Sequence, residues 1–400
     1  MTVGTNVDRG LIAILRSALA PLTEDRGLPN VAYTDAHLFA FERDYVLGRS
    51  WAAIAHASEL SGPGSAKPID FMGVPLLIVR GKQNELNVFH NVCRHRGMTL
   101  VSEESQLKTV IRCPYHSWSY DFDGRLLATP HVGGNDKHSC TGFDRADHGL
   151  RQVRFAVWMD IIFINLSGRA VEFTEFIAPL ERRWSVFLGA QGVNQFRAGA
   201  SDSTLELPVS CNWKLAVENY CEAYHLPWIH PDLNSYSPLD QHYNIADEEG
   251  FSGQESHRYE LASVAGIELP GFQCWPDDKR AHAEYVSLYP NTLLGIQADH
   301  AFSVIVSPQA PGRSLEKLQI LYADDAAQQD TYAACRETIL KSWDTVFRED
   351  VFVVEGMQAG RQSPGFDGGV FTPVQDLPTH QFHRWVANSY LAAIDAADSS

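Results

Sequence analysis

The feature that most constrains this chain is a pair of short runs, each joining a cysteine to a histidine: Cys93-Arg94-His95 and Cys113-Pro114-Tyr115-His116. Together they read C-x-H, seventeen intervening residues, then C-x-x-H. Two thiolates and two imidazoles form a metal-ligand set, and each run adjoins a turn-forming residue, Gly97 or Pro114. An incidental loop would have to gather four ligands at two turns by chance. A structural zinc site is the stronger rival, but zinc fingers usually keep their cysteines in one knuckle and their histidines in the other. Here each knuckle offers one of each.

That mixed pattern resembles the Rieske [2Fe–2S] centre, in which two cysteines hold one iron and two histidines the other. Neutral histidine ligands penalise the reduced cluster less than anionic cysteines do, and its potential rises. Such a centre passes single electrons, so a destination for them should lie elsewhere in the chain.

A chain of 400 residues is long for one domain and implies two. With 44% hydrophobic and 20% charged residues, it has the composition of a soluble globular protein able to bury a sizeable core. The net charge of −17 argues against nucleic-acid binding, which needs a basic footprint. It is compatible with a cationic substrate, although solubility alone explains it as well. No apolar run approaches a membrane span, and the N-terminus lacks a signal-peptide pattern. The cysteines outside the two knuckles, Cys140, Cys211, Cys221, Cys274 and Cys335, show no disulfide framework, consistent with reduced thiols in the cytoplasm.

Residues 1–45 read as a peripheral helical segment packing on the catalytic domain, with an apolar stripe over Leu11–Leu19 and Asp35 capping a second helix through Tyr45. From 46 to 166 the pattern becomes short β-like runs between Gly, Pro and Asp. The clearest are 75–80, 86–91, 109–113, 117–121 and 158–166, with a turn over 121–125. Both knuckles fall at strand ends or loops of this all-β stretch. Residues 167–400 are mixed. Ser203–Val209 reads as a strand, and Asn212–Leu226 as a helix ended by Pro227. Residues 284–323 offer further strands, including 301–308 and 315–322, and Ala326–Met357 a long helix stopped near Gly360. The fold class expected is α+β: an all-β cluster domain, then a catalytic domain of antiparallel sheet with flanking helices.

The second part holds another donor set. His225 falls at the end of the expected 212–226 helix and His230 just past Pro227. Glu218, Glu222 and His225, spaced four and three, would share a helix face. On the C-terminal helix, Leu340, Trp343, Phe347, Val354 and Met357 form a stripe whose vacant slot is Asp350. A carboxylate on an apolar face is costly unless paired, for instance with Arg348, or bound to metal. Two histidines and one carboxylate make the facial triad of non-heme iron(II) oxygenases, and His225, His230 and Asp350 are assigned as mononuclear iron ligands.

With both motifs in place, the chain resembles the oxygenase component (α subunit) of the Rieske non-heme iron oxygenases. The resemblance rests on C-R-H-R-G at 93–97, C-P-Y-H-S-W at 113–118, N-W-K at 212–214, E-N-Y-C-E-A-Y-H at 218–225, His230 and the E-D run at 349–350, and it covers nearly the whole chain. It implies cluster ligands at Cys93, His95, Cys113 and His116 and an iron triad at His225, His230 and Asp350. The second knuckle has Ser117 where the family usually has glycine, a swap expected to be harmless. Many ring-hydroxylating members carry aspartate three residues before the first iron histidine. Here it is Glu222, which resembles the subgroup that oxidises quaternary ammonium compounds such as carnitine, choline and betaine. In the family this carboxylate bridges the iron histidine and a cluster histidine of the neighbouring subunit.

The resemblance further implies a homotrimer, O2 as co-substrate, and electrons from a separate flavin and iron–sulfur NAD(P)H reductase, with or without a ferredoxin. The chain itself carries no nucleotide fingerprint, since Gly62-Pro63-Gly64 lacks a strand–turn–helix setting. A small quaternary ammonium or N-methyl substrate would be hydroxylated or N-demethylated in a pocket lined by aromatics. Tyr220, Tyr224, Trp228, Phe272, Trp275, Tyr285 and Tyr289 are candidates, each also an ordinary core residue. The enzymatic rival is a ring-hydroxylating dioxygenase making cis-diols, with or without a β subunit. The non-enzymatic rival, a Rieske electron carrier, would end near residue 166.

Overall fold

The computed structural model describes residues 26–246, 250–366 and 368–398, with isolated positions between 12 and 22. Residues 1–11 of the expected N-terminal helical segment lie outside the described residues. Within the Leu11–Leu19 stripe, Leu15 and Ala18 are buried. Asp35 caps the Ala36–Glu42 helix, its side chain accepting the amides of His37 (2.8 Å) and Leu38 (2.9 Å), and the helix continues as a π turn, Arg43–Leu47.

Glu42 closes this element inward, fully buried. Its carboxylate accepts Trp213 Nε1 (2.8 Å) and the Tyr390 hydroxyl (2.5 Å) and pairs with buried Lys214. Saturating the carboxylate in this way makes its burial tolerable. The N-W-K run thus ties the N-terminal segment to the helix that leads into the second donor set.

Residues 52–165 form three antiparallel sheets. Strand 161–165 is flanked by 52–56 and 154–158; strands 86–90, 74–80, 65–71 and 105–106 lie in that order; and 111–112, 119–120 and 126–128 make the third. The single strand expected over Trp158–Leu166 is corrected to the second arm of a hairpin. Met159 and Asp160 both have positive φ, 51° and 62°, and form a two-residue turn between Trp158 and Ile161. Such turns match strand twist, but Met-Asp lacks the Asn-Gly signature that announces one.

The second region is built on an eight-stranded antiparallel sheet. Its path runs 196–198, 313–323, 300–310, 292–296, 283–288, 251–256 and 242–245, and Thr204–Val209 also pairs with 313–323. Along strand 300–310, Phe302, Val304 and Val306 enter one core while Ala301 and Ile305 enter the other, the period-two alternation of a sheet covered on both faces. Helices Trp213–Cys221, Ala333–Gly360 and Leu377–Asp398 cover the first face, and Phe173–Leu188 the second. The C-terminal helix expected from Ala326 starts at Ala333, after two short 3-10 turns. The fold is α+β as expected. No helix among the described residues is long and apolar enough to cross a membrane.

Candidate active site

The two cysteine–histidine runs fold into matching knuckles. Cys93 N–H donates to Met98 O (2.8 Å) and Gly97 N–H to Cys93 O (3.1 Å); Cys113 N–H donates to Trp118 O (2.8 Å) and Ser117 N–H to Cys113 O (3.0 Å). Both cysteines are buried, both histidines are exposed, and the imidazole centroids of His95 and His116 are 4.8 Å apart. Burial pushes the Cys93 thiol up. The Tyr120 hydroxyl lies 3.3 Å from Cys93 Sγ and accepts the Arg94 amide (3.0 Å). Two inner thiols and two outer imidazoles on facing turns fit a cluster with one thiolate-bound and one imidazole-bound iron.

The matched turns correct one expectation. Gly97 and Ser117 hold the same left-handed position, with φ +75° and +57°. Serine there costs about 1 kcal/mol, partly offset by the chain entropy of glycine, so the swap is not neutral. Ser117→Gly is expected to raise the melting midpoint of the holoprotein by roughly 1–3 °C. Calorimetric scanning checks this, and a lower midpoint would contradict it.

The chain into the second donor set departs from the helix expected over Asn212–Leu226. Asn212 caps a helix that spans only Trp213–Cys221, and Glu222 is already extended (φ −120°, ψ 160°). The Glu222 carboxylate accepts the amides of Tyr224 and of His225 (3.2 Å), which a further helical turn would have paired with carbonyls. Pro227 falls in the first turn of a new short helix, Leu226–Ile229, where its missing N–H costs nothing. The expected shared face of Glu218, Glu222 and His225 is therefore corrected. Glu218 turns into a buried cluster instead, with the Tyr33 hydroxyl (2.5 Å), His383 Nε2 (3.0 Å) and Arg361 (3.6 Å).

His225 and His230 bracket the short helix, and Asp350 meets them from the middle of Ala333–Gly360. Trp343, Phe347 and Val354 are buried along the same stripe. Arg348 pairs with Asp344 (2.7 Å), which disposes of the ion-pair alternative for Asp350. One donor atom from each of His225, His230 and Asp350 lies within 4.8 Å of the others. Asp350 Oδ1 is 3.0 Å from His230 Nε2 and 3.8 Å from His225 Nε2.

The opposite ring nitrogens are occupied by carboxylates: His225 Nδ1 lies 2.6 Å from Glu222 Oε1, and His230 Nδ1 2.8 Å from Glu349 Oε2. Carboxylate acceptors fix the Nδ1–H tautomers and leave both Nε2 atoms as lone pairs. Two imidazole lone pairs thus converge with a buried carboxylate oxygen that has no hydrogen bond. Such a cluster of acceptors is stable only around a cation, and two nitrogens plus one oxygen suit a mononuclear iron with open positions.

Glu349 is a site residue that sequence reasoning missed. It stood in the E-D run, but nothing in the spacing showed that it serves His230. Glu349→Gln is expected to weaken mononuclear iron binding about 10–100-fold with the cluster absorption unchanged. Ferrous titration of the apo site is the measurement, and unaltered affinity would remove the role.

A narrow cavity of about 40 Å³ opens beside the three donors. Of the seven candidate aromatics, Tyr220 and Tyr285 line it. Tyr224 and Trp228 are exposed, while Tyr289, Phe272 and Trp275 pack elsewhere. Trp343 and Phe347 complete the walls. From the sequence they read only as core, because one helical stripe serves both purposes. On the adjacent strand, burial and then the charge of Asp350 push Glu316 up to about 8.

Residues 50–139 match the Rieske [2Fe-2S] domain, and residues 196–392 the catalytic domain of the ring-hydroxylating alpha subunit. The glycine betaine monooxygenase oxygenase subunit of Pseudomonas aeruginosa is 30% identical over 413 residues, covering 94% of this chain and 92% of that protein. The chain belongs to the Rieske non-heme iron oxygenases. It is also 28% identical to the carnitine monooxygenase oxygenase subunit of Acinetobacter pittii, covering 85% of this chain and 86% of that protein. Choline monooxygenase of Arabidopsis thaliana is 27% identical, covering 91% and 82%. Among solved structures, the quaternary ammonium Rieske monooxygenase CntA in complex with L-carnitine shares the fold with a TM-score of 0.73 at 23% identity, covering 91% of this chain and 96% of that one. Naphthalene 1,2-dioxygenase from Rhodococcus sp. shares it with a TM-score of 0.74 at 19% identity, covering 96% and 99%. As a member of this family, the chain is an oxidoreductase that uses a Rieske cluster and a mononuclear iron, and it works with electron-transfer partners on a small substrate.

Proposed function

We propose that this oxygenase hydroxylates or N-demethylates a small quaternary ammonium or N-methyl compound. Cys93, His95, Cys113 and His116 hold the cluster, and His225, His230 and Asp350 hold the iron. On this reading the chain divides into an N-terminal segment (1–45), a Rieske domain (46–166) and a catalytic domain (167–400). The observation that carries the substrate reading is the wall of the cavity: Tyr220, Tyr285, Trp343 and Phe347 stand around a site rimmed by the carboxylates of Asp350 and Glu222. Aromatic faces attract an alkylammonium by about 0.5–2 kcal/mol each. The carnitine, betaine and choline monooxygenases among its relatives support the same substrate class.

Bound at their sites, the cluster supplies single electrons and the ferrous ion supplies the O2 activation that no side chain possesses. The protein positions and shields. Glu222 and Glu349 aim the imidazole lone pairs, and the aromatic walls hold the cation and exclude water. The Glu222 carboxylate takes three local hydrogen bonds, which leaves it one acceptor position for a neighbouring imidazole. Tyr224 and Trp228 beside it, and Met98 and Tyr115 beside the exposed cluster histidines, form apolar surface suited to a subunit contact. A head-to-tail homotrimer closes such contacts into a ring. Electrons then come from a separate NAD(P)H reductase in the cytoplasm, with or without a ferredoxin. Gly62-Pro63-Gly64 leads into strand Ser65–Phe71 and offers no nucleotide-binding helix.

Reconstitution with a surrogate reductase and mass spectrometry of the products tests the proposal. Formaldehyde or another aldehyde is expected from N-methyl or C–N oxidation. A cis-diol from an aromatic hydrocarbon, with no ammonium turnover, would favour the dioxygenase reading.

A further inference from the structure

The charge pattern of the cavity constrains the far end of the substrate. The described residues lining it include Asp350 and Glu222 and no lysine or arginine. His242 also lines it, and burial lowers its pKa. Its ring is engaged on both sides, with Gln254 Oε1 (2.5 Å) and Ser237 Oγ (3.0 Å). The remaining polar groups are neutral: the amides of Gln254 and Asn219, the hydroxyl of Tyr285, the hydroxyl of Tyr220, which donates to Leu294 O (2.8 Å), and the indole N–H of Trp343, which donates to His300 Nε2 (3.1 Å). The Tyr285 hydroxyl is buried and makes no well-formed hydrogen bond, although Ser237 and Gln297 are near. Even with a divalent iron counted, the carboxylates of Asp350, Glu222 and Glu349 leave the surroundings negative.

We infer that the substrate is a small organic cation whose remaining polar group is uncharged, such as an alcohol, ether or amide, and that zwitterions carrying a carboxylate are disfavoured. This inference rests on the quaternary ammonium reading and concerns the other end of the molecule. A carboxylate entering the cavity would lose its water, lie near the carboxylates of Asp350 and Glu222, and find no lysine or arginine among the lining residues to pair with. An alcohol would instead satisfy the Tyr285 hydroxyl or the Gln254 amide. Discrimination then comes from repulsion as well as attraction.

The test uses the holoenzyme with both iron sites loaded and reads binding by calorimetry alongside turnover. Choline, glycine betaine and 3,3-dimethylbutanol form the series. Betaine adds a carboxylate to the same trimethylammonium head, and the alcohol replaces the charged nitrogen with carbon. Choline is expected to bind at least about tenfold more tightly than either of the others. Betaine binding as tightly as choline would overturn the inference and leave the ammonium reading standing. The neutral alcohol matching choline would overturn the cation requirement. Binding of benzoate, with neither ammonium compound bound, would remove the ammonium reading and this inference with it. Tyr285→Phe is expected to weaken choline about three- to tenfold and leave tetramethylammonium unchanged. Equal losses for both ligands would reduce Tyr285 to a structural wall and overturn its proposed contact.

Discussion

Asp350→Ala is expected to lose at least about 10³-fold in turnover while keeping the visible absorption of the Rieske cluster. On the proposed assignment Asp350 is the anionic member of the donor triad, and its Oδ1 lies 3.0 Å from His230 Nε2. Without it, two neutral imidazoles face the metal alone, too weak a set to hold a ferrous ion in competition with water. Metal analysis of the purified variant is expected to find the cluster iron and to lack the mononuclear iron. The change should not unfold the protein. In the metal-free state the carboxylate lies 3.0 Å from His230 Nε2 and 3.8 Å from His225 Nε2, and against the lowering effect of burial it and Glu349 hold the His230 pKa up. Removing it gives up only that one pairing, so the melting midpoint of the chelated variant should lie within a few degrees of that of the chelated parent. Retention of the mononuclear iron, or a marked loss of metal-free stability, would show that Asp350 has another task.

The parts of the molecule that could be anticipated are those whose partners are close in sequence. Each knuckle gathers its cysteine, its histidine and its turn within six residues, Cys93–Met98 and Cys113–Trp118, so its local fold is legible from residue type and spacing. Asp35 as a cap and the long strands at 300–310 and 313–323 are local in the same sense. Asp350 could be found because it interrupts an apolar stripe, a one-dimensional signal. The misreadings arose where a distant or unusual partner decides the outcome. Glu349 serves a histidine 119 residues away. The 212–226 segment has ordinary helical spacing, but the Glu222 carboxylate captures the two amides that the next turn needed. The 158–166 run is apolar throughout, and its turn depends on positive φ at a Met-Asp pair that composition does not flag. Trp343 and Phe347 occupy stripe positions whether they face core or cavity, and only the placement of the sheet decides between them.

Glu222→Gln is the second large effect expected, and it separates electron delivery from metal binding. In the parent, Glu222 Oε2 accepts two backbone amides while Oε1 accepts His225 Nδ1–H. Glutamine has one oxygen to offer. If that oxygen keeps the amides, its NH2 faces the donor nitrogen of His225. Iron affinity should then fall by about 10–100-fold, the usual cost of a lost supporting carboxylate. Excess ferrous iron should still fill the site, and the cluster, on a different part of the chain, should be untouched. The NH2 also removes the acceptor position through which Glu222 would meet an imidazole of the adjoining subunit. With both metals loaded and substrate bound, the rate at which O2 reoxidises the reduced cluster should therefore drop by at least about 10²-fold. Glu222→Asp keeps the charge and both oxygens at shorter reach, so it should recover part of that rate. Reoxidation at the parental rate in an iron-replete glutamine variant would rule out the bridge. Electrons would then have to reach His225 by a route that does not use this carboxylate.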